Sequence, residues 1–173
     1  FGMELKFVSR DQYALRHEKY YQESLLIEFP NFMLIPEGGA NYLGIIGCQQ
    51  IMREINRDFD HVFVAQGTTC TSVGIALSLP VKTTLHTVPV LKGFDAMNEM
   101  KNLMNSVGFE EQTIHNSLKN VLVHPESHVG GYGKVDTELL YFMEYFYAQT
   151  SVPLDPIYTG KVIYAMMNWI QVN

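Results

Sequence analysis

The sequence predicts an α/β protein built on an open, mostly parallel sheet with helices on both faces. Three observations carry this expectation. Apolar, β-branched runs of strand length recur at residues 61–65, 83–91 and 120–123. Helix-length patterns separate these runs, so successive strands need crossovers rather than hairpins. Nearly half of the 173 residues (47%) are apolar, enough for a sizeable core covered on two sides.

The elements follow in chain order. Residues 5–8 alternate apolar and polar and read as a short strand, and the polar stretch 9–23 reads as helix. Residues 32–35 read as a buried strand, ended by Pro36 and the Gly38-Gly39 turn. From Asn41, an N-cap residue, Leu43, Gly47, Ile51 and Ile55 fall on one helical face. Strand 61–65 leads through the turn Gly67-Thr68-Thr69-Cys70-Thr71 into a short apolar helix, 72–79. Strand 83–91 precedes a helix over 94–107, with Phe94, Met97, Met100/Lys101 and Met104 inward. Strand 120–123 runs into a loop, 124–133, with Pro125 and three glycines. Asp136 caps a helix to Gln149, and Thr159 begins another to Ile170.

Bulk properties exclude several classes of function. A formal charge of −6 without any Lys/Arg cluster argues against a nucleic-acid partner. No run approaches the ~20 apolar residues of a membrane helix. Cys48 and Cys70 show neither paired nor metal-type spacing, which suits a reducing, cytoplasmic setting. Phe1-Gly2-Met3 is neither an ordinary start nor a signal peptide, and the last helical pattern ends at Asn173 without a capping glycine. The expectation is a chain truncated at both ends.

Three segments can carry chemistry. Strand, then Gly67-Thr68-Thr69-Cys70-Thr71, then helix presents unpaired N–H groups and hydroxyls at a helix start, where phosphate binds without Lys or Arg. The loop has neither the Lys of a P-loop nor the spacing of a dinucleotide fingerprint, and by itself a threonine-rich turn after a strand is more often ordinary capping. Asp155-Pro156-Ile157-Tyr158-Thr159-Gly160-Lys161 reads as a turn entering a helix. Gly130-Gly131-Tyr132-Gly133 lets backbone pass close to a ligand beside a flat ring, or is a flexible loop with one surface aromatic. Metal chemistry at His115, His124 and His128 is disfavoured, because Pro125 and the glycines spoil a helical ligand pair; no metal site is expected. The aromatic group Tyr141, Phe142, Tyr145, Phe146 and Tyr147 reads as core or as a homodimer contact.

Four motifs in order bear a family resemblance. Ile35-Pro36-Glu37-Gly38-Gly39-Ala40-Asn41 with Gly44 and Gly47, Ala65-Gln66-Gly67-Thr68-Thr69-Cys70-Thr71 with Gly74, Gly131-Tyr132-Gly133, and the Asp155-to-Lys161 segment span most of the chain. Together they resemble the 1-aminocyclopropane-1-carboxylate (ACC) deaminase / D-cysteine desulfhydrase family. The resemblance implies a tryptophan synthase β-like fold that binds pyridoxal 5′-phosphate (PLP) between a small and a large domain. Residues 1–28 would end the small domain and 29–173 would belong to the large one. It further implies that Gly67, Thr68, Thr69, Cys70 and Thr71 hold the cofactor phosphate and that Thr159 faces the pyridine nitrogen. Tyr132 and Tyr158 would lie by cofactor and substrate, Tyr158 with a part in the chemistry. Thr69 and Cys70 depart from the small residues or glycine common there, and a positive φ at either would strain it.

The family's Schiff-base lysine lies in an upstream segment that this chain does not contain, so the chain alone is expected to be inactive. The implied reactions on a small amino acid are sulfide elimination from D-cysteine, giving pyruvate and ammonia, and opening of the ACC ring, giving 2-oxobutyrate and ammonia. ACC deaminases tend to carry Glu where Thr159 stands, so Thr159 favours the desulfhydrase reading. The rival reading is a non-catalytic PLP-fold binding module or fragment.

Overall fold

The computed structural model describes residues 2–173; Phe1, part of the unusual start, lies outside them. The chain divides into two compact units, one running to Ile35 and one spanning Pro36–Asn173.

The first unit is helical. Ser9 opens α1 (Arg10–Ala14) with a reciprocal cap: Gln12 N–H donates to Ser9 Oγ at 3.1 Å, and Ser9 N–H to Gln12 Oε1 at 3.0 Å. After a single 3-10 turn, α2 (Lys19–Glu28) completes the unit. The strands expected at 5–8 and 32–35 do not form, and Phe7, Met33 and Ile35 are exposed. Alternation alone does not make a strand. Its N–H and C=O groups need a neighbouring ladder, and no described segment of the unit supplies one.

The second unit is the expected α/β layer. Three parallel strands, β1 (His61–Gln66), β2 (Thr84–Pro89) and β3 (Val121–Val123), pair in the order β1-β2-β3. The register sets Phe63 beside His86 and Leu85 beside Val121. Strand periodicity then sorts the two faces. Val62, Val64 and Leu85 pack with α3 (Tyr42–Glu54), α4 (Cys70–Ser78), α5 (Ala96–Ser106) and α6 (Glu111–Leu118) around Ile45, Val73, Met100 and Met104. Phe63, Ala65 and Val88 face the other way, against Val162 and Ala165 of α8 (Thr159–Val172). The remaining helix, α7 (Thr137–Thr150), packs on α8 through Phe142 and Tyr164, whose rings lie 5.1 Å apart.

The caps fall where the sequence placed them. Asn41 Oδ1 accepts from Gly44 N at 2.8 Å to start α3, and Asp136 Oδ1 accepts from Leu139 N at 2.8 Å to start α7. The four-spaced face of α3 is the outward one: Leu43, Ile51 and Ile55 are exposed and Ile45 is buried. Gly74 explains how closely α3 and α4 pack, since a Cβ there would sit 2.4 Å from Cys48 Cβ. Helix α6 has no counterpart in the sequence-based expectation. Its eight residues expose most of their surface and bury only Ile114 and Leu118, which leaves a weak periodic signal.

One arrangement on the α8 face was not foreseen. His61 Nδ1 lies 3.0 Å from His86 Nε2, and His86 Nδ1 lies 2.9 Å from His124 Nε2, so three imidazoles form a chain across the strands. His86 is 0% exposed, stacked on Phe63 at 4.1 Å and capped by Trp169 at 4.7 Å. Burial first, then His124 and His61, push the His86 imidazole down to about 4. His128 is used locally, accepting from Gly130 N, and His115 lies on α6. Among the described residues no group of three or more His, Cys, Asp or Glu is placed to hold a metal ion.

Candidate functional site

The carboxyl ends of the three strands gather every segment singled out as chemical. In open parallel sheets this is where ligands bind, because the connecting loops and helix N-termini converge there. The chain leaves β1 at Gln66, passes Gly67, and enters α4 at Cys70. Thr69 is the N-cap and stands at φ +73°, so the strain foreseen for a residue with a Cβ falls on Thr69 and spares Cys70. A β-branched residue in that region costs about 1–2 kcal/mol, and surrounding contacts must hold it.

Those contacts come from the glycine segment before α3. A Cβ on Gly38 would fall 1.9 Å from Thr68 Oγ1, so only glycine lets the two loops meet. Cys70 is buried, donates its thiol to Gly39 O at 3.3 Å, and has its backbone N–H bound to Thr68 O at 2.9 Å. Burial, with Cys48 beside it, pushes the Cys70 thiol up to about 11, so it packs as a neutral thiol. Thr68 and Thr71 remain exposed at the mouth. The loop fits a phosphate: a nine-residue helix begins there, threonine hydroxyls flank it, and Gly67 brings no side chain to the approach between Tyr158 and Val90.

Tyr158 closes over Gly67. Its Cε1 lies 3.5 Å from where a Cβ of Gly67 would stand, and its ring centroid is 6.2 Å from that of Tyr132, edge to face. Hydrogen bonding toward the Tyr132 hydroxyl, then burial, raises Tyr158 above the usual phenol value; the charges of Asp155 and Glu37 act the same way. A tyrosine so held is a proton donor rather than a phenolate at neutral pH.

Asp155 builds the start of α8. Its Oδ1 accepts from Ile157 N at 2.9 Å and Tyr158 N at 2.7 Å, and its Oδ2 from Thr159 N at 2.9 Å and Thr159 Oγ1 at 2.6 Å. Burial raises the carboxyl, but the Thr159 hydroxyl and the three backbone N–H groups prevail and hold it near 2. Thr159 Oγ1 also accepts from Asp155 N at 2.8 Å. Its one proton is therefore committed to Asp155, and toward any ligand it offers a lone pair.

The structure thus brings Gly67, Thr68, Thr69, Tyr132 and Tyr158 to one mouth, with Thr159 one residue beyond Tyr158. Cys70 is turned inward to shape the loop. Lys161, the last residue of the Asp155-to-Lys161 segment but given no role of its own by the sequence, is fully buried and donates to Gly131 O at 2.8 Å. A lysine closing a turn motif carries no burial signal, so periodicity could not have found it. A separate cavity of about 290 Å³ at the amino ends of the strands is lined by Leu79, Pro80, Thr83 and Asn120 and includes none of these residues.

Comparison with known proteins agrees with the motifs. No family model matches the chain. A provisionally named ACC deaminase of Pyrococcus furiosus is 30% identical over 78% of this chain and 44% of its own length. The mitochondrial bifunctional D-cysteine desulfhydrase/ACC deaminase of Arabidopsis thaliana is 27% identical over 98% of this chain and 45% of its own. A D-cysteine desulfhydrase of Serratia proteamaculans is 29% identical over 79% and 44%. The crystal structure of an ACC deaminase homologue superposes with a TM-score of 0.70 at 24% identity, covering 96% of this chain and 54% of that one. The α/β fold and the family resemblance are borne out. The chain spans about half the length of the curated relatives it matches.

Proposed function

We infer that this chain, similar to the ACC deaminase / D-cysteine desulfhydrase family along most of its length, supplies the cofactor-phosphate loop of a PLP-dependent lyase or deaminase. The reading rests on one observation: the strained Thr loop at the start of α4 opens directly beneath Tyr158, with Tyr132 beside it. Gly67, Thr68, Thr69 and Thr71 would hold the phosphate, with Cys70 packed behind them. Bound PLP supplies an electron sink for a carbanion at the substrate's α-carbon. Tyr158 carries its proton at neutral pH and could give it to a leaving group or carbon, with the Tyr132 ring 6.2 Å away to steady it.

Thr159 bears on the substrate. It would face the pyridine nitrogen as a neutral acceptor, its proton held by Asp155, whereas a carboxylate would favour ring protonation more strongly. That supports D-cysteine as substrate, with pyruvate, ammonia and sulfide as products, over ACC. The Schiff-base lysine would come from outside these 173 residues, residues 1–28 would close the small domain, and the complete protein would work in the cytoplasm as a homodimer. For the dimer, the support is the exposed row Tyr141 and Tyr145 on α7, 68% and 66% exposed.

The test is keto-acid release by the parent protein with PLP, offered D-cysteine and ACC in parallel. Pyruvate with sulfide from D-cysteine alone is expected. Release of 2-oxobutyrate would overturn the part given to Thr159. Absence of both products, with PLP bound, would favour a non-catalytic binding module.

A further inference from the structure

We propose that Lys161 is a positioning residue that sets Tyr132 against Tyr158 by gripping the backbone one residue before Tyr132. Lys161 is 0% exposed, and its Nζ donates to Gly131 O at 2.8 Å. Gly131 stands at φ +114°, and a Cβ there would approach Lys92 Cβ to 3.3 Å, so the carbonyl is presented in a conformation that glycine tolerates best. At the other end, Lys161 sits in the first turn of α8, three residues after Tyr158, and is locked there by the Asp155 cap. One side chain therefore joins the two backbone segments that carry the facing phenols.

The chemistry of the grip is costly in isolation. An ammonium removed from water and given the Gly131 carbonyl as acceptor loses hydration that one carbonyl does not replace. Burial accordingly pushes the Lys161 ammonium below the usual lysine range, against the attraction of Asp136. An apolar side chain of like length would pack here without that penalty. What only the amine supplies is a directed bond to the Gly131 carbonyl.

Tyr158 reports the consequence, because Tyr132 is the first cause of its pKa standing above the usual phenol value, ahead of burial, Asp155 and Glu37. The catalytic consequence rests on the PLP reading above, whereas the positioning itself needs no cofactor. The experiment is a titration of the chain carrying 13Cζ-tyrosine, followed by NMR, in the wild type and in Lys161→Met and Tyr132→Phe. The expected result is a downward shift of the Tyr158 midpoint in Lys161→Met, matching in direction and size the shift in Tyr132→Phe. An unmoved midpoint in Lys161→Met beside a shifted one in Tyr132→Phe makes Lys161 mere packing and overturns the proposal. Unmoved midpoints in both variants overturn it too.

If Lys161→Met does not fold, Lys161→Gln, too short to reach Gly131, takes its place. The unaltered chain gives a further check. A slowly exchanging Lys161 15Nζ signal coupled to the Gly131 carbonyl carbon is required, and its absence overturns the proposal. In the parent protein with PLP, Lys161→Met is expected to lower kcat on the order of 10- to 100-fold with little change in KM. A shifted Tyr158 midpoint in a parent protein without keto-acid chemistry would support the positioning role and overturn the functional reading instead.

Discussion

Acid is expected to protonate the histidine chain and loosen the fold in a defined pH window. His86 has an ordinary value of 6.5 and stands at about 4 in the folded chain. The unfolded chain therefore binds a proton at His86 where the folded one does not, and stability falls as pH falls. The contribution is complete above 6.5, declines between 6.5 and about 4, and is gone below. That gap, at about 1.4 kcal/mol per pH unit, amounts to about 3 kcal/mol. His124, lowered by burial, acts in the same direction. Asp155, held near 2 from 3.8, loses its contribution only below this window, so the two effects separate. The assay is urea unfolding followed by Trp169, the one tryptophan of the chain, whose ring lies 4.7 Å from that of His86. His86→Leu removes both imidazole contacts. It is expected to lower stability by about 2 kcal/mol near neutral pH and to flatten the slope between 6.5 and 4. A wild type with constant stability across that window, or a His86→Leu chain with the wild-type slope, would refute the reasoning.

Three further outcomes follow from the site. Thr69→Gly removes the left-handed strain but adds unfolded-state freedom, so urea unfolding is expected to show a gain between about 0 and 1 kcal/mol; a loss beyond that range would mean the Thr69 side chain holds the loop. Gly74→Ala would drive a Cβ to 2.4 Å from Cys48 Cβ and 2.8 Å from Ile45 O, and calorimetry is expected to show a cost of about 1–3 kcal/mol. In the parent protein, Thr159→Glu is expected to shift keto-acid output from pyruvate toward 2-oxobutyrate, and an unchanged ratio would count against the role given to that hydroxyl.

Much of this site was legible because its signals are local. Asp155, with three backbone N–H groups and a hydroxyl two to four residues ahead, is an arrangement that a short segment dictates. The same holds for Asn41 and Asp136 as caps, since a side-chain oxygen and the N–H it captures lie three residues apart. Where partners lie far along the chain, local pattern misled or fell silent. Residues 5–8 and 32–35 look like strands but have no ladder to join, and the apparent inner face of α3 points outward because α4 approaches on the side of Ile45.

The sequence by itself determined the α/β class, the order of the three central strands along the chain, and the turn chemistry at Gly67 and Asp155. Backbone hydrogen bonding and side-chain periodicity act over a few residues, so composition and spacing record them. Only the tertiary structure decided that Thr69 takes the strained conformation and that His61, His86 and His124 touch. It also placed Lys161, buried, against the Gly131 carbonyl across thirty positions of chain. Each depends on strand register and helix packing that bring distant residues within a few ångströms, and no spacing along the chain encodes those distances.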